Sequence, residues 1–349
     1  MFKVNQNWSP LKVCAVGQSY PPDYYNRIKS TRLRSQFRRI AEETEEDYQG
    51  IIAVLEQFNV EVIRPEVVIP PDDKWVRPAK LMNPRDQFAM CGDTFLPYRI
   101  DDEGKVHRDD GWEPVYERID QEGNKQVSDL LLRYLPSSGL WCCGKDVYFG
   151  AFKDVAERFE KEDEFAEFML NHLPKKRHHL VHTDGHVDGC FKPVKPGLIF
   201  SIMDMEPYTK TFPGWEVVYF ENESWHKMDK WCTFRYASRV GSWYLDNSDE
   251  EIQNFVNVWL RDWVGHAAET VFDVNSLTIN EENIIVNQAN PLMLDACKRH
   301  GIKAHICPLR HRYFWDGGIH CSTADLDREG EEQDYFPERG ETGFNVFED

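Results

Sequence analysis

The sequence predicts a single domain of mixed α/β structure in which strands and helices alternate along the chain. Short strand-like runs occur from one end of the chain to the other, and segments with helical periodicity lie between them. No Pro/Gly/Ser-rich linker divides the 349 residues, and their 41% apolar content is sufficient for one large core. Two smaller domains would fit the length, but one domain spanning 1–349 is the simpler interpretation.

Seven short apolar runs have the length and composition of β-strands. They lie at 11–17, 60–66, 145–150, 196–202, 215–220, 283–288 and 302–309.

Three longer segments, 32–59, 154–173 and 249–264, predict amphipathic helices. In the first of them Ile51, Ile52, Leu55 and Phe58 recur at a spacing near 3.6 residues. One face of this helix is therefore expected to lie against the core.

Two polar regions interrupt this alternation. The stretch 99–125 predicts an inserted loop or hairpin within the domain. The acidic tail 331–349 predicts a solvated or loosely docked end, with an interaction tail as the alternative.

The net charge of −19 argues against nucleic-acid binding through a basic face and favours a cationic small molecule. No run of eighteen apolar residues is present, and the first residues lack the pattern of a secretory signal. We therefore expect a cytoplasmic protein without a membrane partner. A homodimer is compatible with the sequence, which does not encode the oligomeric state.

Nine cysteines at irregular spacing, without a CxxC pair, argue against a disulfide framework and a thiolate zinc site. Most are expected to be small buried apolar residues. Cys321, in DGGIHCSTADLDREG (316–330), follows two glycines that would allow close backbone approach by a substrate. From these residues alone, it is either a nucleophile or a buried cysteine in a turn.

The segment HTDGHVDGCF (182–191) contains two His-x-Asp pairs, His182/Asp184 and His186/Asp188. On a strand, each pair would present an imidazole and a carboxylate on one face. Such a pair could relay protons and bind a cation. A metal site is the competing interpretation, but no other compact ligand motif is visible, so neither metal nor cofactor is predicted.

The segment NPRDQFAMCGD (83–93) places Arg85 and Asp86 before an apolar run. A charged pair in this position is often a surface ion pair.

Taken together, these segments resemble the amidinotransferases, relatives of glycine amidinotransferase within the pentein superfamily of guanidine-modifying enzymes, which also holds arginine and peptidylarginine deiminases. The resemblance covers nearly the whole chain in order, and its last two motifs are the specific ones. It is carried by NWSPLKVCAVG (7–17), NPRDQFAMCGD (83–93), CCGKDVYF (142–149), HVDGCFKPVKPGLIFS (186–201) and GGIHCSTADLDREG (317–330).

The resemblance implies a five-bladed α/β propeller of ββαβ modules with a central active site. It also implies that Cys321 attacks the guanidinium carbon and that His186 moves protons. Asp86 and Asp188 match the carboxylates that would hold the planar cation by paired hydrogen bonds. His320 matches a position that is commonly histidine, where it would add positive potential or only pack.

The sequence departs from the family pattern at two positions. The carboxylate that orients the catalytic histidine is replaced near Ser137, where Asp184, Asp129 or a serine hydroxyl could substitute. Met205 stands where arginine-using members carry an arginine that binds the amino-acid carboxylate. We therefore expect a guanidino donor that lacks this carboxylate, or one whose carboxylate is bound by another residue such as Arg85 or Arg312.

The leading expectation is transfer of an amidino group from a guanidino donor to a primary amine acceptor through an amidino-cysteine. Hydrolysis of a guanidine by the same cysteine is the alternative. A guanidino-binding protein without turnover is the third, because the histidine-orienting carboxylate is missing.

Overall fold

The computed structural model describes most of the chain, and the account below is confined to those residues. They are 1–28, 31–69, 79–98, 100, 103–106, 108, 111–128, 139–151, 163–183, 186–202, 207–220, 273–315, 317–340 and 343–346.

Five small sheets with one shared plan form the described structure. In each sheet the first strand is antiparallel to the middle strand, and the middle strand is parallel to the third. This is the predicted five-bladed α/β propeller. The first strands are Thr323–Arg328 (β15), Phe88–Cys91 (β3), Leu140–Cys143 (β6), Phe191–Lys195 (β9) and Leu277–Asn280 (β12). The middle strands are Leu11–Val16 (β1), Thr94–Pro97 (β4), Asp146–Ala151 (β7), Leu198–Ser201 (β10) and Asn283–Val286 (β13).

The third strands are reached through helices, because parallel neighbours need a crossover connection. These strands are Glu61–Ile63 (β2), Lys125–Gln126 (β5), Arg177–His182 (β8), Glu216–Tyr219 (β11) and Lys303–Ile306 (β14). The crossover helices are Thr31–Gln57 (α1), Glu113–Glu122 (α3), Asp163–His172 (α4), Tyr208–Thr211 (α6) and Pro291–Arg299 (α7). Shorter helices are Ala79–Met82 (α2), Val187–Cys190 (α5) and Arg312–Trp315 (α8), with 3-10 turns at Pro22–Arg27, Pro84–Asp86 and Pro337–Arg339.

The ring closes where the two ends of the chain meet. Strand β15 pairs with β1 from Leu11 opposite Arg328 to Val16 opposite Thr323. The residues before β1 then cross to two other blades, because Val4 bridges Gly92 and Gln6 bridges Cys143. The N-terminal segment therefore links three blades.

Helix α1 packs on the first blade, as its periodicity predicts. Phe37, Ile40, Ile51 and Leu55 are fully buried in the cluster that contains β1. The amphipathic face of α1 thus supplies much of the apolar surface that this sheet buries. None of the described helices is long and apolar enough to cross a membrane.

All seven predicted strands are confirmed as β1, β2, β7, β10, β11, β13 and β14, and the helix at 32–59 is confirmed as α1. Helix α4 occupies the second half of the predicted segment 154–173. The predicted helix at 249–264 lies outside the described residues.

The stretch 99–125, as far as the structure describes it, begins with an antiparallel bridge between Ile100 and Val106, which is compatible with the predicted hairpin. It contains α3 and reaches β5, so it is the crossover of the second blade. Helix α3 is polar on its outer side but buries Val115, Tyr116 and Ile119, and it ends at Gly123 with φ 69°.

The described residues of the acidic tail, 331–340 and 343–346, are docked on the third blade. Gln333 O accepts a hydrogen bond of 2.9 Å from Lys145 N, and Phe336 O accepts one of 2.9 Å from Arg177 Nη1. A last strand, Phe344–Val346 (β16), pairs in parallel with β8. The acidic composition that suggested a solvated end is matched by buried basic side chains.

Candidate active site

The candidate side chains meet because they occupy equivalent places in different blades. Cys321, Asp86 and Asn275 each lie two residues before the first strand of a blade, namely β15, β3 and β12. In the fourth blade the one-turn helix α5, which carries Asp188, leads directly into β9. Segments far apart in the chain are thereby brought to one end of the first strands.

Cys321 is held by three contacts, one with Asp188 and two with Asn275. Its Sγ lies 3.4 Å from Asp188 Oδ2 and 3.1 Å from Asn275 Nδ2, and its backbone N donates to Asn275 Oδ1 at 3.1 Å. The residue is 6% exposed. The sulfur is therefore fixed in position and close to a carboxylate.

The pKa of the Cys321 thiol is raised well above its ordinary value. Burial is the main cause, and the charges of Asp188 and Asp86 add to it. Hydrogen bonds from the Gly318 backbone and the Asn275 amide act in the opposite direction. The thiol is therefore protonated at neutral pH in the free protein.

Asp188 is a buried carboxylate with one oxygen that accepts no hydrogen bond from the described residues. Its Oδ2 accepts from His320 Nδ1 at 2.8 Å, whereas Oδ1 has no such donor. Burial alone would raise the pKa of Asp188, but the hydrogen bond from His320, together with the charges of nearby basic groups that include Arg85, outweighs burial and lowers it. Asp188 is thus ionised, and its Oδ1 can accept a further hydrogen bond.

His320 is neutral. Burial and the charge of Arg85 lower its pKa to about 4, although its hydrogen bond to Asp188 acts in the opposite direction. The ring packs on Trp141, with centroids 4.6 Å apart. Of the two roles that the resemblance left open, packing fits this environment and added positive potential does not.

His186 is the exposed imidazole of the site. Its Nδ1 lies 3.8 Å from Asp86 Oδ1, and the two side chains are 42% and 27% exposed. At this distance the two groups are neighbours but are not hydrogen-bonded to each other. Asp86 is therefore a candidate for orienting His186, a role for which the sequence offered other residues.

His186 and Asp188 do not lie on a strand, the arrangement considered for the His-x-Asp pairs. His182 is the last residue of β8, and His186 precedes helix α5. His186 and Asp188 consequently do not share one face of a strand. They are brought to the site by the turn into α5.

Arg85 is neither part of a surface ion pair nor directed at open space. It is 5% exposed, its Nε donates to Thr323 O at 3.0 Å, and its guanidinium pairs with Asp325. Arg328 pairs with the other oxygen of Asp325 at 2.7 Å. Arg85 therefore holds β15 in place through Asp325 and Thr323, and its guanidinium is not available as the substrate contact that was predicted.

The two glycines before Cys321 have a different purpose from the one predicted. A Cβ on Gly317 would lie 2.6 Å from Asn83 Oδ1, and a Cβ on Gly318 would lie 2.5 Å from Asn275 Oδ1. These glycines make room for protein side chains rather than for a substrate carbon. The motif thus encodes packing next to the nucleophile.

Several predicted residues lie outside the described part of the chain. They are Met205, Asp184 and Ser137, together with Asp129 and Ser138.

Asn275 was missed by the sequence reasoning. Its signal is positional, since it lies before a first strand as Cys321 and Asp86 do. That signal becomes readable only when β12 is known, and no strand was predicted there.

No protein-family profile matches the chain, and no curated protein sequence matches it. The structure is similar to that of SxtG, an amidinotransferase from Microseira wollei in the saxitoxin biosynthetic pathway, with TM-score 0.63 and 16% identity over 96% of this chain and 99% of that one. It is also similar to the inosamine-phosphate amidinotransferase of Streptomyces griseus, with TM-score 0.60 and 15% identity over 96% and 99% of the two chains. A third similar structure is DDAH from Pseudomonas aeruginosa complexed with citrulline, with TM-score 0.53 and 12% identity over 90% and 99%. At these identities the likeness confirms the predicted resemblance at the level of the fold.

Proposed function

We propose that the protein moves an amidino group from a guanidino donor to a primary amine through a covalent amidino-cysteine at Cys321. The observation that carries the proposal is the pairing of a nucleophilic sulfur with an ionised, buried carboxylate. Asp188 contacts Sγ with one oxygen, and its other oxygen accepts nothing from the described residues. A guanidinium would supply both the missing donor and the missing positive charge.

The first step is attack of the sulfur on the central guanidinium carbon. The C–N bond to the donor chain breaks, and the thiol proton passes to the leaving amine by way of His186. Cys321 is left carrying a cationic amidino group. Asp188 and Asp86 stabilise this group as they would stabilise the donor.

The second step reverses the first with another amine. The acceptor nitrogen attacks the amidino carbon and gives a proton to His186, and the C–S bond breaks. The thiol is restored and a new guanidino compound leaves.

The charges around the sulfur link substrate binding to activation. Burial, Asp188 and Asp86 hold the pKa of Cys321 well above its ordinary value in the free protein. A bound cation would offset both carboxylates and favour the thiolate only when a substrate is present.

Transfer rather than hydrolysis is supported by the GGIHCSTADLDREG motif, which resembles the amidinotransferase version. The two similar structures with the higher TM-scores are amidinotransferases, whereas DDAH is named a hydrolase. Hydrolysis would use the same cysteine with water as the second nucleophile.

The donor is proposed to lack a free amino-acid carboxylate next to its carbon chain. Met205 replaces the arginine that the resemblance would place there, and Arg85 is engaged with Asp325. Agmatine, which has no carboxylate, should therefore be a better donor than arginine.

Mass spectrometry of the intact protein after mixing with guanidino compounds tests this proposal. We expect an adduct of about 42 Da, the mass of a retained amidino group, on Cys321 and not on the Cys321→Ala variant. It should form faster with agmatine than with arginine and persist until a primary amine is added.

Other outcomes select the alternatives. A heavier adduct that keeps the donor chain, with ammonia released, would indicate a deiminase. Loss of the amidino adduct in water alone would indicate hydrolysis. No adduct with any donor, and equal binding by Cys321→Ala, would indicate a binding protein.

A further inference from the structure

Asn275 makes the contacts expected of a group that controls the nucleophile. Its Nδ2 lies 3.1 Å from Cys321 Sγ and 3.2 Å from Asp188 O, and its Oδ1 accepts from Cys321 N at 3.1 Å. The side chain belongs to a residue that is 1% exposed. The amide of Asn275 therefore contacts both Cys321 and the backbone of Asp188.

The orientation of this amide is fixed by its partners. A backbone N–H of Cys321 can only donate, so the atom that faces it must be the oxygen. A backbone carbonyl of Asp188 can only accept, so the atom that faces it must be the nitrogen. The group directed at Sγ is thus an N–H donor.

The backbone around Asn275 is held as well. Asn275 O accepts from His320 N at 3.4 Å, and the next carbonyl, Ser276 O, accepts from the buried Lys192 Nζ at 2.5 Å. Gly318 leaves the space that the Asn275 side chain needs, because a Cβ there would lie 2.5 Å from its oxygen. Three segments of the chain are thus built around this amide.

The chemistry of sulfur gives the N–H a function. A thiolate accepts hydrogen bonds more strongly than a thiol or a thioether does, since it carries a full charge. The contact is therefore strongest when the sulfur is ready to attack and when it leaves the amidino carbon. It opposes the effect of the two nearby carboxylates.

We infer that Asn275 is a catalytic residue, whose amide N–H stabilises the Cys321 thiolate while its carbonyl oxygen fixes the backbone of the nucleophile. The contribution of Asn275 to turnover depends on the proposed function being correct. Its effect on the thiol does not.

The test is the pH dependence of Cys321 alkylation by iodoacetamide without substrate, measured by peptide mass spectrometry because the chain has nine cysteines. The Asn275→Asp variant keeps the shape and the acceptor of the side chain but loses the donor. We expect its alkylation rate at about pH 8 to fall about tenfold or more, with the titration moved to higher pH.

Asn280→Asp is the matched control in the same strand region. Asn280 Oδ1 accepts from Glu282 N and Asn283 Nδ2, and a carboxylate can accept both bonds. Its alkylation rate should stay within about twofold of the wild-type rate. Asn275→Asp also adds a negative charge beside the sulfur, which by itself would raise the pKa of the thiol. Asn275→Ser, which is neutral and too short to reach Sγ, removes the donor without that charge, and its alkylation rate should fall as well.

A wild-type alkylation profile in the folded Asn275→Ser variant would overturn the assignment, even if thermal stability fell, because this variant adds no charge and a purely structural role would change only stability. If no guanidino compound forms an adduct, the proposed function fails. The alkylation profile would still decide the role of Asn275.

Discussion

Two buried aspartates of this propeller are alike in burial and in having a histidine partner, but they differ in charge balance. Asp146 and Asp188 are 0% and 1% exposed, and they contact the imidazoles of His179 and His320 at 2.6 and 2.8 Å. Asp146 also accepts hydrogen bonds from two arginines, Arg177 and Arg339, each at 2.6 Å.

No lysine or arginine nitrogen of the described residues lies within ion-pairing distance of Asp188. Its partners are the neutral His320 and the Cys321 thiol, and its Oδ1 accepts nothing from the described groups. The charge of Asp146 is therefore compensated by arginines of the chain, whereas the charge of Asp188 has no lysine or arginine partner among the described residues.

The arginines at Asp146 explain how the tail is docked. Arg339 belongs to the tail, and Arg177 also donates to Phe336 O. Burying a carboxylate is costly unless a partner compensates it. At Asp146 the chain provides the partner, and at Asp188 we propose that a guanidinium does.

The largest expected effect follows from removing each charge. Asp146→Asn leaves the buried Arg177 and the partly exposed Arg339 without their shared anion, although Arg177 keeps its pair with Asp334, so we expect the free energy of unfolding to fall by about 3–5 kcal/mol. Asp188→Asn leaves no arginine without an ion-pair partner, so we expect the free energy of unfolding to fall by about 1 kcal/mol or less. Urea denaturation of both variants measures the difference.

Urea is preferred to guanidinium chloride here, because guanidinium is a candidate ligand. Equal losses in the two variants would contradict the comparison. It would mean that the chain itself compensates Asp188.

A smaller effect concerns acid. Burial lowers the pKa of His320 and of His178, which lies in the same sheet as Asp146, to about 4 from the ordinary 6.5. The folded state therefore excludes a proton that the unfolded state binds, so stability is complete above pH 6.5 and is lost as pH falls toward 4. Each histidine should cost about 2 kcal/mol between about pH 6.5 and 5.

The variants His320→Asn and His178→Gln separate the two regions. Each keeps an amide N–H for the partner of the histidine, Asp188 Oδ2 in one case and Leu173 O in the other. Each should remove the contribution of its own histidine, about 2 kcal/mol, from the acid-dependent loss measured by urea denaturation across that pH range. An unchanged slope in one variant would show that its histidine is already protonated in the folded state.

The strands that the sequence revealed are the middle and outer ones. Runs such as LKVCAV in β1 and NIIV in β13 are nearly continuous apolar segments, as expected of strands buried on both faces. They required no knowledge of distant residues.

None of the first strands was among the predicted runs. In β15 and β9 the physical reason is that polar side chains are paired over long distances. Strand β15 reads TADLDR, yet Asp325 is neutralised by Arg85 from another blade and by Arg328. In β9 the buried Lys192 donates to Ser276 O. Charged residues of this kind predict a loop when only their sequence neighbours are considered. Each has a partner from another blade, so the strands become recognisable only in the folded structure.

The site shows the same division. Cys321, His186, Asp86 and Asp188 were predicted from motifs that resemble a family, and the structure brings the segments that carry them together. The role of Asn275 could not be predicted, because it depends on a contact between residues 46 positions apart.

The most direct test of the central claim is a crystal structure of the Cys321→Ala variant soaked with guanidinium chloride. We expect an ordered guanidinium whose nitrogen lies about 3 Å from Asp188 Oδ1, with Asp86 beside it and no ion at Asp146. A guanidinium ordered elsewhere while Asp188 Oδ1 still accepts no hydrogen bond, or a protein cation turned onto that oxygen, would contradict the account.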